Sequence, residues 1–575
     1  MRFPLRMPNS QNEHDRNGGR CMIPFQEEVY QLTKKLVEHP SIVGTFGERD
    51  MAYLIYEILQ ETPYFQEHPE YLQMTPTRQD DLERYNVLAL LKGGNENESE
   101  TVILMGHMDT VGVEDYGKWM NLAFSPEQLL EEWKKSKLPE EVKKDLDTGD
   151  YIGGRGVLDM KSGIAIHLTI VRYFARNRHL LKGNLLFVAA CDEERNSRGI
   201  LSALSDILQW GREEKLTYIA AINSDYTSPR FPGDRDRYIY LGTVGKLLPA
   251  FYIVGKETHV GQAFEGFDPN LIASELTARI DYQTDLCDEM FGEITLPPVS
   301  LKQTDLKKQY DVQTPKTALV YYNFFVHSWS PRDVLEKLKQ VAIDAFESAV
   351  MKFRDRSRRY HESRCRPYRD IDWKPRVYTY EEFYRKCREE HGQEFEREIL
   401  RLTRNMLNQE NMDVRQHSLR MVEELWKWGG DDDPAVILFY AAPYIPRVVL
   451  NEKDPRDLRL IRAVKKSVAE IEPLQEKKIK VRKFFPYISD MSFVAMSDDE
   501  REIQTFEKNM PVWGAKYHMD MEAIWQLDVP VVNIGPYGKD AHKKWERLEI
   551  SYSMQWVPNL TVRVIRHLFN SVDAF

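Results

Sequence analysis

Residues 101–111 read TVILMGHMDTV and join a short apolar run to a histidine and an aspartate that follow it at once. The run Thr101–Met105 has the length and composition of a buried strand, and His107 and Asp109 come directly after it. Similar runs occur at Tyr85–Leu91, Asn184–Ala190 and Tyr218–Ile222, and helical patterns at Phe25–His39, Arg49–Leu59, Met160–Arg176 and Gly199–Trp210. This alternation predicts an α/β fold with a mostly parallel sheet flanked by helices.

From residue 245 the pattern changes to that of a smaller α+β unit. Its predicted strands are Leu247–Val254 and Thr317–Val326, and its predicted helices lie near Asn270–Asp281 and Pro331–Phe353. Ser330 is expected to cap the second helix, with Pro331 in its first turn. Residues 354–376 are rich in arginine, 380–428 are mostly helical, and apolar strands return at Ala435–Tyr440 and Val529–Ile534.

Size and charge narrow the classes of function. A chain of 575 residues is too long for one hydrophobic core, so we expect two or three domains. A net charge of −11 disfavours nucleic acid and anionic membranes as partners and leaves a small-molecule substrate. We expect neither a membrane span nor a secretory signal, because no apolar run reaches about 18 residues and residues 1–20 are largely polar. Five scattered cysteines without a CxxC pair favour a reducing compartment, so we expect a cytoplasmic protein.

Possible metal ligands fall in five short segments, each expected just after an apolar strand. The segments are Gly106–Val111, Gly154–Gly163, Cys191–Glu194, Asn223–Asp225 and Gly538–His542. In a parallel sheet such positions lie at the carboxyl edge, where ligand-binding crevices form. The sequence therefore predicts that these side chains gather at one crevice.

A single motif of this kind is a weak signal. An Asp-rich chain with 14 histidines produces a His-x-Asp by chance, and a second one, His518-Met519-Asp520, follows no apolar run. We interpret that second motif as surface polarity or the start of a helix. Taken alone, the pair Glu193-Glu194 would also fit a charged strand end that faces water.

Together the segments offer the ligands of a dinuclear metal centre. Imidazole and carboxylate suit zinc, cobalt or manganese, and a shared carboxylate holds two ions about 3.5–4 Å apart with a water between them. That water becomes hydroxide near neutral pH, and a carboxylate that is not a ligand must take its proton. Glu193 and Glu194 can divide these roles, because neighbouring residues after a strand point in different directions.

These segments resemble, in the same order, those of the aminoacylase, acetylornithine deacetylase and succinyl-diaminopimelate desuccinylase family of dinuclear zinc peptidases and amidohydrolases. The resemblance covers most of residues 80–280 and 485–565, and within the family the chain is similar to a bacterial arginine-utilisation branch. It implies an α/β catalytic domain of the zinc-peptidase type interrupted by a smaller α+β lid domain, here with an extra helical segment. The expected divisions are a flexible leader (1–24), the catalytic domain (25–244 and 434–575), the lid or dimerisation domain (245–355) and a helical insertion (356–433).

The resemblance also implies a role for each residue of the motifs. The implied ligands are His107 and Asp225 for the first metal, Glu194 and His542 for the second, and Asp159 for both. Asp109 would orient His107, and Glu193 would be the general base. Glu546 matches a position that recurs in the family, in which the peptide bond after the bridging aspartate is cis.

Residues 255–261, GKETHVG, resemble the lid motif of the family. In the family its histidine reaches the active site, often from the second subunit of a dimer, and stabilises the oxyanion. The resemblance therefore implies that His259 is catalytic and that the lid forms a homodimer. Judged from the residues alone, His259 would be a turn residue at a strand end.

Two features depart from the family. The predicted lid strand Ala318–Val326 lacks the arginine with which many members bind a substrate carboxylate, and the helical segment 356–430 is extra. The substrate is therefore left open among N-acyl amino acids, short peptides and arginine-related metabolites. The arginines between 354 and 369 are interpreted as a solvated helical face, with an anion site as the alternative.

Three functional hypotheses follow. The first is a metal-dependent hydrolase that cleaves an amide bond with hydroxide bridging two metals, with a role in arginine utilisation. The second is an aminopeptidase with the same dinuclear site, which must also hold a free α-amine in an acidic pocket. The third is a non-catalytic binding or regulatory relative. Such a relative would tend to lose ligands or the base, and in this chain all of them are present.

Overall fold

A computed structural model describes residues 22–78, 80–95, 98–370, 373–407 and 412–570 of the chain. Residues 1–21 of the predicted leader lie outside the described residues. The strands are β1 Leu72–Pro76, β2 Tyr85–Leu91, β3 Glu100–His107, β4 Tyr151–Gly153, β5 Asn184–Ala190, β6 Thr217–Asn223, β7 Arg237–Thr243, β8 Gly245–Leu247, β9 Pro249–Val254, β10 Glu289–Met290, β11 Glu293–Ile294, β12 Val299–Asp305, β13 Thr317–Val326, β14 Val377–Thr379, β15 Ala435–Tyr440, β16 Val448–Val449, β17 Ile479–Arg482, β18 Val531–Asn533, β19 Gly538–Lys539 and β20 Arg547–Glu549. The helices are α1 Gln26–Val37, α2 Gly47–Gln60, α3 Pro63–Glu67, α4 Pro126–Lys134, α5 Glu140–Asp147, α6 Lys161–Arg176, α7 Arg198–Glu213, α8 Pro269–Ile280, α9 Pro331–Ser363, α10 Tyr380–Leu407, α11 Val414–Gly429, α12 Pro455–Ile471, α13 Glu500–Lys508, α14 Met521–Leu527 and α15 Val557–Asn570.

The catalytic domain is built on a sheet of strand order β1-β2-β5-β3-β6-β18-β7-β16, with β17 also paired to β7. Its centre is parallel, since β3 pairs in parallel with β5 and β6, and β6 with β18. Along β3, Val102 and Leu104 enter one hydrophobic cluster, while Ile103 and Met105 enter the other. Because successive side chains of a strand point to opposite faces, this alternation buries both faces of the sheet under helices, which confirms the predicted α/β fold.

The lid is a second sheet, of order β12-β13-β9-β15-β14, with β8 paired to β13 and with α8 and α9 packed against it. The start of α9 is the predicted one: Ser330 Oγ accepts a hydrogen bond from the Asp333 N–H at 3.2 Å, and the Asp333 carboxylate accepts one from the Ser330 N–H at 2.8 Å. This reciprocal cap satisfies two N–H groups of the helix end. The expected α+β lid is thus present.

The strand Ala435–Tyr440 corrects the predicted domain boundary. We assigned residues 434–575 to the catalytic domain, but β15 lies in the lid sheet, between β9 and β14. The chain rejoins the catalytic sheet at β16, which pairs with β7. All six residues of β15 are buried, so its apolar pattern does not indicate which sheet it joins.

The extra segment after residue 355 is helical, as expected, but it is not a separate domain. The helix α9 continues across the predicted boundary to Ser363, β14 extends the lid sheet, and α10 and α11 pack together beside it. Arg359 pairs with Asp355 at 2.9 Å, and Arg354 pairs with Asp370, in keeping with a solvated helical face. Among the helices of the described ranges, none is both long enough and apolar enough to cross a membrane.

Candidate metal centre

Neighbouring strands deliver the first group of predicted site residues. The strand β3 lies between β5 and β6, and His107 at its end is in register with Ala190 at the end of β5. Glu193 and Glu194 follow β5, and Asp225 follows β6. These side chains therefore meet His107 at the carboxyl edge of the sheet, as predicted.

Asp159 and His542 reach the site by a different route. Asp159 comes after β4 and His542 comes after β19, and these two strands belong to a separate three-stranded sheet, β19-β20-β4. The prediction that both residues follow a strand of the main sheet is therefore wrong. Asp159 lies just before α6, and its peptide bond to Met160 is cis, as the resemblance implied. His542 has a φ of 62°, a left-handed conformation that is uncommon outside glycine and is found in functional loops.

The five predicted ligands form two overlapping clusters. His107 Nε2 lies 3.1 Å from Asp159 Oδ1, and His542 Nε2 lies 3.0 Å from Asp159 Oδ2 and 2.9 Å from Glu194 Oε1. Ligand atoms lie within 4.8 Å of one another in three sets: His107 with Asp159 and Asp225, Asp159 with Glu194 and His542, and His107 with Glu193 and Glu194. Two atoms bound tetrahedrally to one zinc ion at about 2.0–2.1 Å are about 3.3 Å apart, which these separations approach. Asp159 belongs to the first two of these sets, as a bridging ligand must.

Asp109 is fully buried behind the ligands. Its Oδ1 lies 3.6 Å from His107 Nδ1, and its carboxylate accepts hydrogen bonds from the backbone N–H groups of Glu193 at 3.2 Å and Glu194 at 3.0 Å. The carboxylate therefore positions the two glutamates, and the backbone carbonyl of Asp109, 3.2 Å from His107 Nδ1, positions the imidazole.

Glu193 and Glu194 occupy different positions at the centre. Glu194 contacts His542, whereas Glu193 Oε2 lies 3.8 Å from His107 Nε2. Burial raises the pKa of Glu193 well above its usual range, His107 opposes this shift, and the charge of Glu194 adds to it. A buried carboxylate with a raised pKa, placed beside a ligand set, is suited to exchange protons.

The charges of the cluster fit divalent cations. Burial disfavours the charged form of both imidazoles, yet neighbouring carboxylates raise the pKa of His542 to about 11 and that of His107 well above its usual value. Burial and the charge of Asp159 raise the pKa of Asp225 to about 7. Protons thus neutralise part of the cluster, and cations would displace them, because imidazole and carboxylate bind metals in their deprotonated forms. The nitrogen and oxygen donors fit zinc, cobalt or manganese.

Glu546 holds the loop that leads to Asp159. Its Oε1 accepts hydrogen bonds from the backbone N–H groups of Gly156 at 2.8 Å and Leu158 at 3.1 Å, and its Oε2 accepts one from Arg155 at 2.7 Å. Burial raises the pKa of Glu546 to about 7. The family position matched in the sequence therefore supports the loop that carries Asp159, the predicted bridging ligand.

Two residues of the site were missed in the sequence. Asn533, at the end of β18, accepts a hydrogen bond from the Asp225 N–H at 2.9 Å and donates one to the Asp225 carbonyl at 2.8 Å. Asp490 is buried close enough to His107 for the two charges to interact, and this attraction alone would lower the pKa of Asp490. Burial has the larger effect and raises that pKa to about 8. The end of β18 was a usable signal for Asn533, whereas Asp490 begins a short 3-10 helix, Asp490–Phe493, with no strand directly before it.

Two other histidines lie outside these clusters. His259 is exposed on the lid, where its Nδ1 accepts a hydrogen bond from the Gly261 N–H at 3.1 Å, and its catalytic role stays a prediction. Asp520 caps α14 by accepting a hydrogen bond from the Ala523 N–H at 3.0 Å. The motif His518–Asp520 is therefore the start of a helix, as we interpreted it.

Similar proteins place the chain in one family. The model described as peptidase family M20/M25/M40 matches residues 103–552. The chain is 36% identical to the protein RocB of Bacillus subtilis over 545 residues, 95% of either chain. It is 34% identical to the uncharacterized protein YqjN of the same organism over 553 residues, 96% of this chain and 98% of that one. The crystal structure of aminopeptidase PepT from Bacillus cereus shares the fold, with a TM-score of 0.51 at 12% identity over 94% of this chain and 98% of that one. The chain therefore belongs to peptidase family M20/M25/M40 and is a metallohydrolase that acts on amide bonds.

Proposed function

We propose that the enzyme cleaves the amide bond of a small N-acyl amino acid, a short peptide or an arginine-related metabolite, with Glu193 as general base. The observation that carries this proposal is the division between two adjacent glutamates. Glu194 lies 2.9 Å from His542 in a set that contains Asp159, while Glu193 belongs to neither set that contains Asp159 and lies 3.8 Å from His107. One carboxylate is thus committed to the metal centre, and the other can accept a proton.

Each residue of the centre has a place in the proposed reaction. His107 and Asp225 would hold one divalent ion, Glu194 and His542 a second, and Asp159 both. Zinc is the proposed metal, and cobalt and manganese share its donor preference. When bound, two such ions acidify a water between them and polarise the substrate carbonyl. Glu193 accepts the proton of the attacking water and donates it to the leaving nitrogen, while Asp109 keeps His107 and Glu193 in position.

A screen for released amine tests the reaction. The purified protein, supplied with zinc, cobalt or manganese, is offered N-acyl amino acids, dipeptides and arginine derivatives. We expect amine release from at least one class, and its loss in Glu193→Gln. A protein that binds two ions and hydrolyses none of the classes would contradict catalysis and favour the non-catalytic hypothesis. The proposed role in arginine utilisation rests on the similarity to RocB. If the enzyme shows no preference for arginine derivatives, this role is refuted.

The buried carboxylate of Asp490 favours a second candidate, an aminopeptidase. Such an enzyme must bind a free α-ammonium group, and the positive charge of that group would favour the ionised form of Asp490, whose pKa burial raises to about 8. The free and N-acetylated forms of one dipeptide separate the two functions. Cleavage of the free form alone would establish the aminopeptidase, and cleavage of the acetylated form would exclude it.

We also propose a cytoplasmic homodimer formed through the lid. Support for the dimer comes from the exposed Leu301 on the edge strand β12 and from the exposed position of His259. Free thiols at Cys191, Cys287, Cys365 and Cys387 support a reducing compartment.

Subunit mixing tests whether His259 serves the site of its partner. In a heterodimer of His259→Ala and Glu193→Gln, one site combines an intact Glu193 with the His259 of the partner subunit. Random exchange of equal amounts then restores about one quarter of the wild-type activity. No recovery, or a monomer by sedimentation, would contradict the shared site.

A further inference from the structure

Outside the metal centre, the described residues form a groove of about 420 Å³ at the junction of three remote chain segments. Its walls are the first turns of α9 and α10 and one side of α13. The helix α13 packs against α9, and the backbone N–H of Glu381 in α10 donates a hydrogen bond to Asn509 Oδ1 at 3.1 Å. Since α9 and α10 belong to the lid and α13 follows the return of the chain to the catalytic domain, the groove lies where these two parts meet.

The groove carries a surplus of positive charge. Its basic side chains are Arg332, Lys339, Arg385, Arg501 and Lys508, against three glutamates, which leaves a net charge of +2. Two of the glutamates already have partners. Glu382 lies 2.7 Å from Lys339, and Glu381 lies 3.8 Å from Lys508. The cations of the groove that lack such a partner are therefore the guanidinium groups of Arg332, Arg385 and Arg501.

These guanidinium groups make no ion pair within the part of the chain that the structure describes. Arg332 donates one hydrogen bond to Thr505 Oγ1 at 3.3 Å, and the side chains of Arg385 and Arg501 make none with described residues. The positive ends of the α9 and α10 dipoles face the same groove. Like charges gathered in one concave surface repel each other, and an anion between them would relieve that repulsion.

We propose that this groove binds a small oxyanion of charge −2, a phosphate or a dicarboxylate, at a site apart from the metal centre. Planar guanidinium groups bind such oxyanions through paired N–H donors. Arg332, Arg385 and Arg501 come from α9, α10 and α13, so one bound anion ties the lid to the second part of the catalytic domain. This inference does not depend on which substrate the metal centre cleaves.

Titration calorimetry of the full-length, metal-loaded protein tests the site with inorganic phosphate and succinate, and with acetate as the monovalent reference. Saturable binding of phosphate or succinate is expected, with a rise in Tm at high anion concentration. Which of the two binds more tightly identifies the chemistry of the ligand. Loss of a charged hydrogen-bond donor costs about tenfold in affinity or more, so Arg385→Gln/Arg501→Gln should weaken binding by at least that factor.

A matched control removes the same charge elsewhere. Arg356 and Arg366 are exposed and do not line the groove, so Arg356→Gln/Arg366→Gln should bind the anion as the wild type does. Arg385 and Arg501 are also exposed, so the groove variant should fold, which its Tm checks. If it unfolds, each single substitution gives the same comparison. The proposal is overturned by any one of four results: no saturable binding, equal binding in the groove variant, equal weakening in the control, or acetate bound as tightly as the divalent anions.

Discussion

Replacing Glu193 with glutamine removes a proton acceptor and leaves the shape of the side chain almost unchanged. The hydrogen bonds from the backbone N–H groups of Glu193 and Glu194 to Asp109 do not involve the altered group, so the pair stays in position. His107 Nε2 lies 3.8 Å from Glu193 Oε2, beyond hydrogen-bond distance, so the ligand set keeps its contacts. Loss of a general base lowers turnover by about 10²–10⁴, which corresponds to about 2.7–5.5 kcal/mol of transition-state stabilisation.

The assay combines metal content by mass spectrometry with single-turnover rates. Glu193→Gln should retain two ions per chain and bind substrate with little change in affinity, while the chemical step slows by the factor above. Glu194→Gln is the matched control, because it makes the same chemical change one residue later. It removes the anionic partner that lies 2.9 Å from His542, and should therefore weaken one metal site.

Two results would refute this reasoning. If Glu193→Gln loses metal while Glu194→Gln keeps it, the roles of ligand and base are reversed. If both variants turn over at the wild-type rate, neither glutamate takes part in the proton transfer, and the proposed mechanism is wrong.

Other substitutions separate metal binding, catalysis and folding. His107→Ala or His542→Ala should lower the number of metal ions bound per chain and abolish turnover, with an unchanged circular-dichroism spectrum. Full activity of the wild type after exhaustive chelation would refute the metal assignment. His259→Ala should lower turnover by about 10²–10³ with a smaller effect on KM, since one oxyanion donor is lost, and an unchanged rate would make it a turn residue. Arg84→Gln should lower the free energy of unfolding in urea by about 3–5 kcal/mol, because it leaves three buried carboxylates without their cation. Arg176→Gln, at an exposed ion pair, should change it by less than about 0.5 kcal/mol, and equal midpoints for the two variants would contradict this account.

Much of the site could be predicted because its residues are adjacent to strong local patterns. His107 is the last residue of β3, and Glu193 and Asp225 come within three residues of the ends of β5 and β6. An apolar run of strand length is buried in most folds, and in a parallel sheet the residues after it meet at one edge. The chemistry of the side chains then restricts the ligand to a divalent cation.

The positions of other residues depended on contacts that no local pattern contains. Every side chain of Ala435–Tyr440 is buried, so nothing in the run itself favours the lid sheet over the catalytic sheet, and its pairing with β9 decides the matter. Asp490 and Glu546 are two of 90 acidic residues, and only the folded chain brings one to His107 and the other to the loop before Asp159. Local burial patterns depend on neighbours a few positions away, whereas the site is closed by loops of hundreds of residues. The entropic cost of closing such a loop depends mainly on its length, so it does not reveal which distant segments will pair. Local sequence patterns therefore determined the helices, the strands and the chemistry of the side chains, and tertiary pairing determined how they are arranged.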